Sequence, residues 1–491
     1  MERHSFSGRI GFVLAAAGAS VGLGNIWRFP YLAARHGGGM FLAVYILLVI
    51  TFGYTMVTAE TALGRMTRKS PIGAFTAKRY RAGGWLHALI PLLIVPYYSV
   101  IGGWVMKYLF GYLGGRAEEL AADGTFSAFL SGGLEAELYF VLFTLLTAAV
   151  IFAGVQNGIE RVSKILMPFL FLLAVVISVF SMTRPGAGAG IRFFLVPDMK
   201  RFSWRTVVSA MGQMFYSLSI AMGILITFGS YMKKDISIEK ATVRVEIADT
   251  AVAVLAGLMV IPAVFAYSGG DESVLHSGPA LMFMTIPKVL AGMEASNLFG
   301  SLFFALVLFA ALTSAIALAE SVASTMEDQF GWGRQKATVV SLLIMLPLGT
   351  LSCLGFGPLA GVRVFGMQIL DFFDFLTNSV MMPVAALITC VYLTRAVGIG
   401  AVEEEIMAGG APFRRRALFR FMIRYVCPVF VLLILLSSVA EVMGWIKYRK
   451  RKNGKAVQSS RFPSAHVETS KAVRYNESIR FSLPGQKGSC A

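Results

Sequence analysis

The 491-residue chain is 56% hydrophobic and only 14% charged, with a net charge of +17 and a mean hydropathy of +0.69. This excludes a soluble globular domain. Its apolar runs can cross about 30 Å of hydrocarbon as helices, and no strand-like alternation suggests a barrel. The basic residues lie between apolar runs, so the charge reads as loops facing anionic lipid rather than a nucleic-acid surface. Cys353, Cys390, Cys427 and Cys490 have no close spacing, and neither a disulfide framework nor a metal site is indicated.

The chain therefore reads as an all-α integral membrane protein of about eleven spans: 10–33, 41–64, 86–112, 138–155, 162–182, 205–231, 244–267, 297–326, 336–354, 365–394 and 421–446. Residues 1–9 precede the first span. A basic start before an apolar run superficially fits a signal peptide, but polar Asn25 and Arg28 and the spans that follow argue for a retained helix. Arg65, Arg68, Lys69, Lys78, Arg79 and Arg81 follow span 2; Lys233, Lys234, Lys240 and Arg244 surround the start of span 7; Arg395 and Arg414 to Arg416 follow span 10. These place the N-terminus in the cytoplasm by the positive-inside rule, and acidic Glu118, Glu119, Asp123, Glu135 and Glu137 place the loop after span 3 outside. Arg184, Arg192, Lys200 and Arg201 in loop 183–204 run against the rule, as do the lysines and arginines after span 11. Residues 447–491 are polar, basic and aperiodic, and read as a disordered tail.

The most informative stretch is residues 18–30, GASVGLGNIWRFP, inside the first apolar run. Gly18, Gly22 and Gly24 weaken a helix by about 1 kcal/mol each relative to alanine, and Pro30 disfavours helical backbone at Phe29. In lipid, backbone groups freed this way must line a cavity or pack in protein, where carbonyls can meet cations and amides can meet anions. A simple Gly18-to-Gly22 packing face explains neither Asn25 nor Arg28.

Charge in mid-bilayer costs about 2.5–3.5 kcal/mol and calls for a partner or a task. Arg28, Glu60, Asp249, Glu320, Asp371 and Asp374 stand within predicted spans. Hydroxyls gather in span 6, with Gln213, Ser217 and Ser219, and in span 8, with Thr313 and Ser314. Any one such pair usually bonds its own helix. Together with the glycine-rich break, Asn25 and Asp249, they supply the oxygen ligands that a hard cation needs.

These residues resemble the neurotransmitter:sodium symporters: the run 18–30 with Gly37 to Gly39, the pair Tyr97 and Tyr98, the segment 212–219 and AALTS at 310–314. The resemblance runs from about Arg3 to span 11. It implies a leucine-transporter-type fold of two inverted five-helix repeats, 10–182 and 205–394, with helices 1 and 6 broken. Loop 183–204 would be extracellular, and 395–446 would add a cytoplasmic loop and helix 11. Span 6 has no Gly/Pro interruption like that of span 1; its break is expected from the resemblance alone.

The resemblance also implies no enzyme but a sodium-coupled symporter in the plasma membrane, a bacterial inner membrane, with no organic cofactor. One sodium would take the carbonyls of Gly18, Val21 and Ala310 and the hydroxyls of Thr313 and Ser314. The other would take the Ser20 carbonyl, Asn25, Ser217, Asp249 and the substrate carboxylate, which would also meet Tyr98 and the amides near Leu23 and Gly24. The ammonium would face carbonyls near Ser217 and Ser219. Ile94, Met222 and Leu318, with Leu23, would form the apolar pocket beneath Tyr216. Arg28 with Asp374 would form the outer gate, and Arg3 with Asp328, helped by Phe6 and Tyr231, the inner gate. Departures sharpen the expectation. Asp249 stands where many members have asparagine, so its fixed charge predicts chloride independence. Ala19 replaces the aspartate of amine carriers, and Ala221 and Met222 replace a glycine and often a phenylalanine, which points to a large hydrophobic or aromatic neutral amino acid. Glu320 and Ser321 lack the usual proline, which leaves the inner gate unspecified. A proton-coupled carrier using Asp249 or Glu60 is the alternative of the same architecture, and a non-transporting amino-acid sensor a more distant one.

Overall fold

In the computed structural model, residues 5–270, 274–275 and 281–442 are described. Among them the backbone is helical, without strands beyond an isolated bridge between Val364 and Met367. The helices are α1a (Arg9–Ser20), α1b (Gly24–Arg35), α2 (Gly39–Thr67), α3 (Lys78–Leu113), α4 (Leu134–Phe152) and α5 (Val155–Met182). They continue with α6a (Trp204–Ser217) and α6b (Ile224–Ser230). The last five are α7 (Ile238–Ser268), α8 (Ser296–Phe330), α9 (Arg334–Leu354), α10 (Ile369–Val397) and α11 (Arg416–Ser437).

Among the described residues, nine helices are long and apolar enough to cross a membrane, and the pair α1a and α1b, bent by 51°, makes up to ten. The expected count of eleven is not reached on these criteria, because span 6 is two helices of 14 and 7 residues. Neither half has the roughly 20 residues that a crossing requires.

Burial separates an inner set from an outer one. The most apolar windows of α3, α8 and α2 are 83%, 78% and 72% buried, whereas those of α4, α5 and α11 are 33% buried. Helices α3 and α8 pack along each other, and α1a lies against α5, α7 and α8. On α4, Leu138, Leu142 and Leu145 face outward, as do Ile165, Phe169 and Leu172 on α5. An apolar face of that spacing suits lipid.

Pro30 does not interrupt the chain as expected. Phe29 is helical, with φ −61° and ψ −52°, and its amide reaches back to the carbonyl of Gly24. This wider, five-residue turn over Gly24–Arg28 absorbs a proline that has no amide to give.

Candidate functional site

The first break lies between α1a and α1b. Val21 turns extended, with φ −74° and ψ 98°, and the carbonyls behind it lose their helical partners. The hydroxyl of Ser314 on α8 lies 3.2 Å from each of the carbonyl oxygens of Gly18, Ala19 and Val21. Within the break, the Gly22 amide donates to Asn25 Oδ1 at 3.1 Å and the Leu23 amide to the Tyr98 hydroxyl at 3.2 Å. Gln213 Nε2 donates to the Gly24 carbonyl at 2.9 Å. Close approach explains two of the glycines: a Cβ on Gly22 would stand 2.6 Å from Ser314 Oγ, and one on Gly24 would stand 2.8 Å from the Tyr216 ring.

The second break separates α6a from α6b and faces the first. Ser219, Ala221 and Gly223 all take positive φ, at 54°, 62° and 73°. For the two non-glycines this conformation costs about 1–2 kcal/mol each. Two contacts hold it: Ser219 Oγ donates to the Ala19 carbonyl at 3.1 Å, and the Ala221 amide donates to Glu60 Oε1 at 2.9 Å. Glu60 on α2 is buried, so its place is beside the α6 break. Sequence periodicity missed this break. The available signals were Gly223 and a glutamate in a neighbouring span with nothing local to bond.

Asp249 on α7 is buried, and three donors converge on its carboxylate. Asn25 Nδ2 and Ser217 Oγ reach Oδ1 at 2.8 Å each, and the Tyr45 hydroxyl reaches Oδ2 at 3.0 Å. Tyr45 was not anticipated from the sequence. No cationic side chain pairs with Asp249 among the described residues. A buried carboxylate without a countercharge is costly, and three neutral donors compensate it only in part. On the opposite side, Thr313 Oγ1 lies 3.2 Å from the Ala310 carbonyl, next to Ser314 and its three carbonyls from the α1 break. No cluster of three or more His, Cys, Asp or Glu occurs among the described residues; both oxygen groups suit a hard monovalent cation better than a transition metal.

A cavity lies between the two breaks, lined on its polar side by Ser20, Gly24, Asn25, Ser217 and Ser219 and on its apolar side by Ile94, Tyr98, Tyr216, Met222 and Leu318. Its free volume is about 20 Å³, roughly room for a single water. Leu23 is buried next to it in the chain. The expected pocket residues are thus brought together on one cavity or beside it.

The expected gates differ in detail. No ion pair joins Arg28 to Asp374. The Arg28 guanidinium sits over the Tyr216 ring, 5.1 Å from its centroid, while Asp374 accepts from Asn378 at 2.6 Å and from Tyr97 at 3.3 Å. At the opposite end, the Phe6 amide donates to the Tyr231 carbonyl at 3.2 Å and the two rings meet edge to face. Asp328 accepts from the Ser70 amide at 2.6 Å; Arg3 lies outside the described residues. Glu320, whose place was open, is buried between the Tyr231 hydroxyl at 2.6 Å and Arg334, whose Nη1 donates at 2.8 Å. The same guanidinium also bonds the Ile151 carbonyl. This ties α4, α8, α9 and Tyr231, the residue that follows α6b, at one point, and Arg334 was not anticipated from the sequence.

Two helices broken at facing positions, with oxygen groups around a closed cavity, define a membrane transporter of the discontinuous-helix class. The chain belongs to the sodium:neurotransmitter symporter family, whose model matches residues 3–117 and 126–465. It is a transporter, not an enzyme, and sodium is its coupling ion. It is 31% identical over 444 residues to YhdH, an uncharacterized sodium-dependent transporter of Bacillus subtilis, covering 88% of this chain and 97% of the relative. It is 26% identical to the sodium- and chloride-dependent GABA transporter ine of Drosophila melanogaster, over 84% of this chain and 48% of that protein. Among solved structures it resembles MhsT in complex with L-phenylalanine, with TM-score 0.80 and 33% identity over 89% of this chain and all of that one.

Proposed function

We propose that the protein imports a large neutral amino acid, hydrophobic or aromatic, by sodium-coupled symport and alternating access, without chloride. The observation that carries this reading is Asp249: a buried carboxylate held by Asn25, Ser217 and Tyr45, with no cationic partner among the described residues. A sodium ion there would supply the missing countercharge, and a permanent carboxylate leaves no charge for chloride to provide. The second sodium would sit among the carbonyls of Gly18, Val21 and Ala310 and the hydroxyls of Thr313 and Ser314. An amino-acid carboxylate would complete the first site, facing Tyr98 and the amides of the α1 break.

The pocket's apolar wall, Ile94, Met222 and Leu318 with the Tyr98 and Tyr216 rings, suits a bulky side chain, and MhsT was solved with phenylalanine. Met222, unbranched and polarizable, can adapt to several shapes. With about 20 Å³ free, the walls must separate to admit such a substrate, which fits a site that opens to one side at a time. The basic loops support a cytoplasmic N-terminus. Lys233 bonds the Ser7 carbonyl, Arg65 bonds Glu405 and the Ile236 carbonyl, and the Arg414 and Arg415 amides bond Glu239, so these loops meet at one end of the bundle.

Equilibrium binding of radiolabelled phenylalanine, tryptophan, leucine and glycine tests the pocket. The bulky three bind only with sodium, equally well in chloride and gluconate, and glycine binds at least tenfold more weakly. Tighter binding of glycine would reject the large-substrate assignment.

A further inference from the structure

A second cavity, about 690 Å³, opens at the end of the bundle that carries Ser7 and Lys233. Its walls come from four separate segments: the start of α1a with Arg9 and Ile10, Lys164 of α5, residues 235–240 before and within α7, and the turn 409–412. Arg9 and Lys240 are exposed there and have no carboxylate partner among the described residues. Lys164 bonds Glu160 at 2.6 Å while also lining the space. Asp235 is the acidic lining residue and Glu160 neutralises Lys164, so three cations meet two carboxylates, and Arg9 and Lys240 carry the excess positive charge. Much of the remaining wall is glycine, Gly8, Gly11, Gly409 and Gly410, the last two at a positive φ that favours glycine, with Ser7, Ile236, Ser237, Ala411 and Pro412 completing it. Beside Arg9, Ile10 is 64% exposed and turns an apolar surface outward at the mouth.

We propose that this cavity binds a phosphate group, specifically the headgroup of an anionic phospholipid, between Arg9, Lys240 and Lys164. Guanidinium and ammonium groups recognise a phosphate diester by charge-assisted hydrogen bonds. Basic groups at a helix end next to apolar surface attract anionic lipid. A free phosphate offers the same charge, but only a lipid uses the outward-facing Ile10, where an acyl chain can lie. The proposal is independent of what the central cavity carries.

The test is the thermal unfolding midpoint of the full-length protein in neutral detergent. Phosphatidylglycerol, phosphatidylcholine or millimolar inorganic phosphate is added to wild type, to Arg9→Gln/Lys240→Gln and to the control Arg79→Gln. Phosphatidylglycerol raises the midpoint of wild type and of Arg79→Gln by several degrees, phosphatidylcholine does not, and Arg9→Gln/Lys240→Gln loses at least half the rise. The single variant Lys240→Gln, at an exposed position, gives a partial loss and serves if the double variant does not fold. An equal rise with inorganic phosphate overturns the lipid assignment. An undiminished rise in both the double and the single variant, or no rise in wild type, overturns the site.

Discussion

Replacing Asp249 with asparagine removes one negative charge and leaves the side chain's shape nearly unchanged. Asn25 and Ser217 both donate to Oδ1 at 2.8 Å, and Tyr45 donates to Oδ2 at 3.0 Å. An asparagine has a single acceptor oxygen. With that oxygen kept toward Asn25 and Ser217, its NH2 group meets the Tyr45 hydroxyl, which must turn from donor to acceptor; turned the other way, it opposes the Asn25 NH2 group. A hydrogen bond to a charged group contributes about 1.5–3 kcal/mol, and the carboxylate would also be the only full negative charge from the protein at the first sodium site. At about 1.4 kcal/mol per tenfold, the sodium concentration for half-maximal binding should rise roughly ten- to hundredfold. Radiolabelled phenylalanine binding, titrated with sodium in chloride and again in gluconate, reads this directly. In gluconate the variant binds little or nothing, and chloride restores part of the signal. A wild-type sodium curve in gluconate would refute the charge-replacement reasoning.

Thr313→Val with Ser314→Ala removes both hydroxyls at the second oxygen group and should raise the sodium requirement about tenfold, on the order of 1.4 kcal/mol; an unchanged titration would reject that site. Glu60→Leu leaves the Ala221 amide buried without its acceptor, at a cost of about 1–3 kcal/mol, and should lower the thermal unfolding midpoint, whereas Glu60→Gln, which keeps an acceptor oxygen, should lower it less. Arg334→Met leaves Glu320 buried beside Tyr231 without its cation, a loss of about 3–5 kcal/mol, and adding Glu320→Gln should recover much of it; unfolding curves for the two single variants and the double variant measure the coupling. Truncation after Lys447 should leave uptake by correctly inserted protein intact, and lost uptake would show that the tail has a role.

The first broken helix was legible because its signals are local: three glycines, an asparagine and an arginine within one apolar run cannot sit in lipid without a cavity. Asp249 was legible for the same reason, as a charge flanked by alanines. The second break was not, because Ser219 and Ala221 reach left-handed backbone through tertiary support. Glu60 lies far away in sequence, and no propensity scale anticipates the bond it makes to the Ala221 amide. Tyr45 and Arg334 escaped for a related reason: tyrosines are common in spans, and an arginine at a helix start is ordinary until the fold brings Glu320 to it. Pro30 misled in the opposite direction, since a wide helical turn absorbed it.

The most direct test of the account is uptake by the purified protein in vesicles, with radiolabelled phenylalanine, an inward sodium gradient and gluconate as the anion. Accumulation above equilibrium that disappears when potassium replaces sodium is the predicted result. Accumulation driven by a pH gradient alone, without sodium, would contradict the account and favour the proton-coupled carrier.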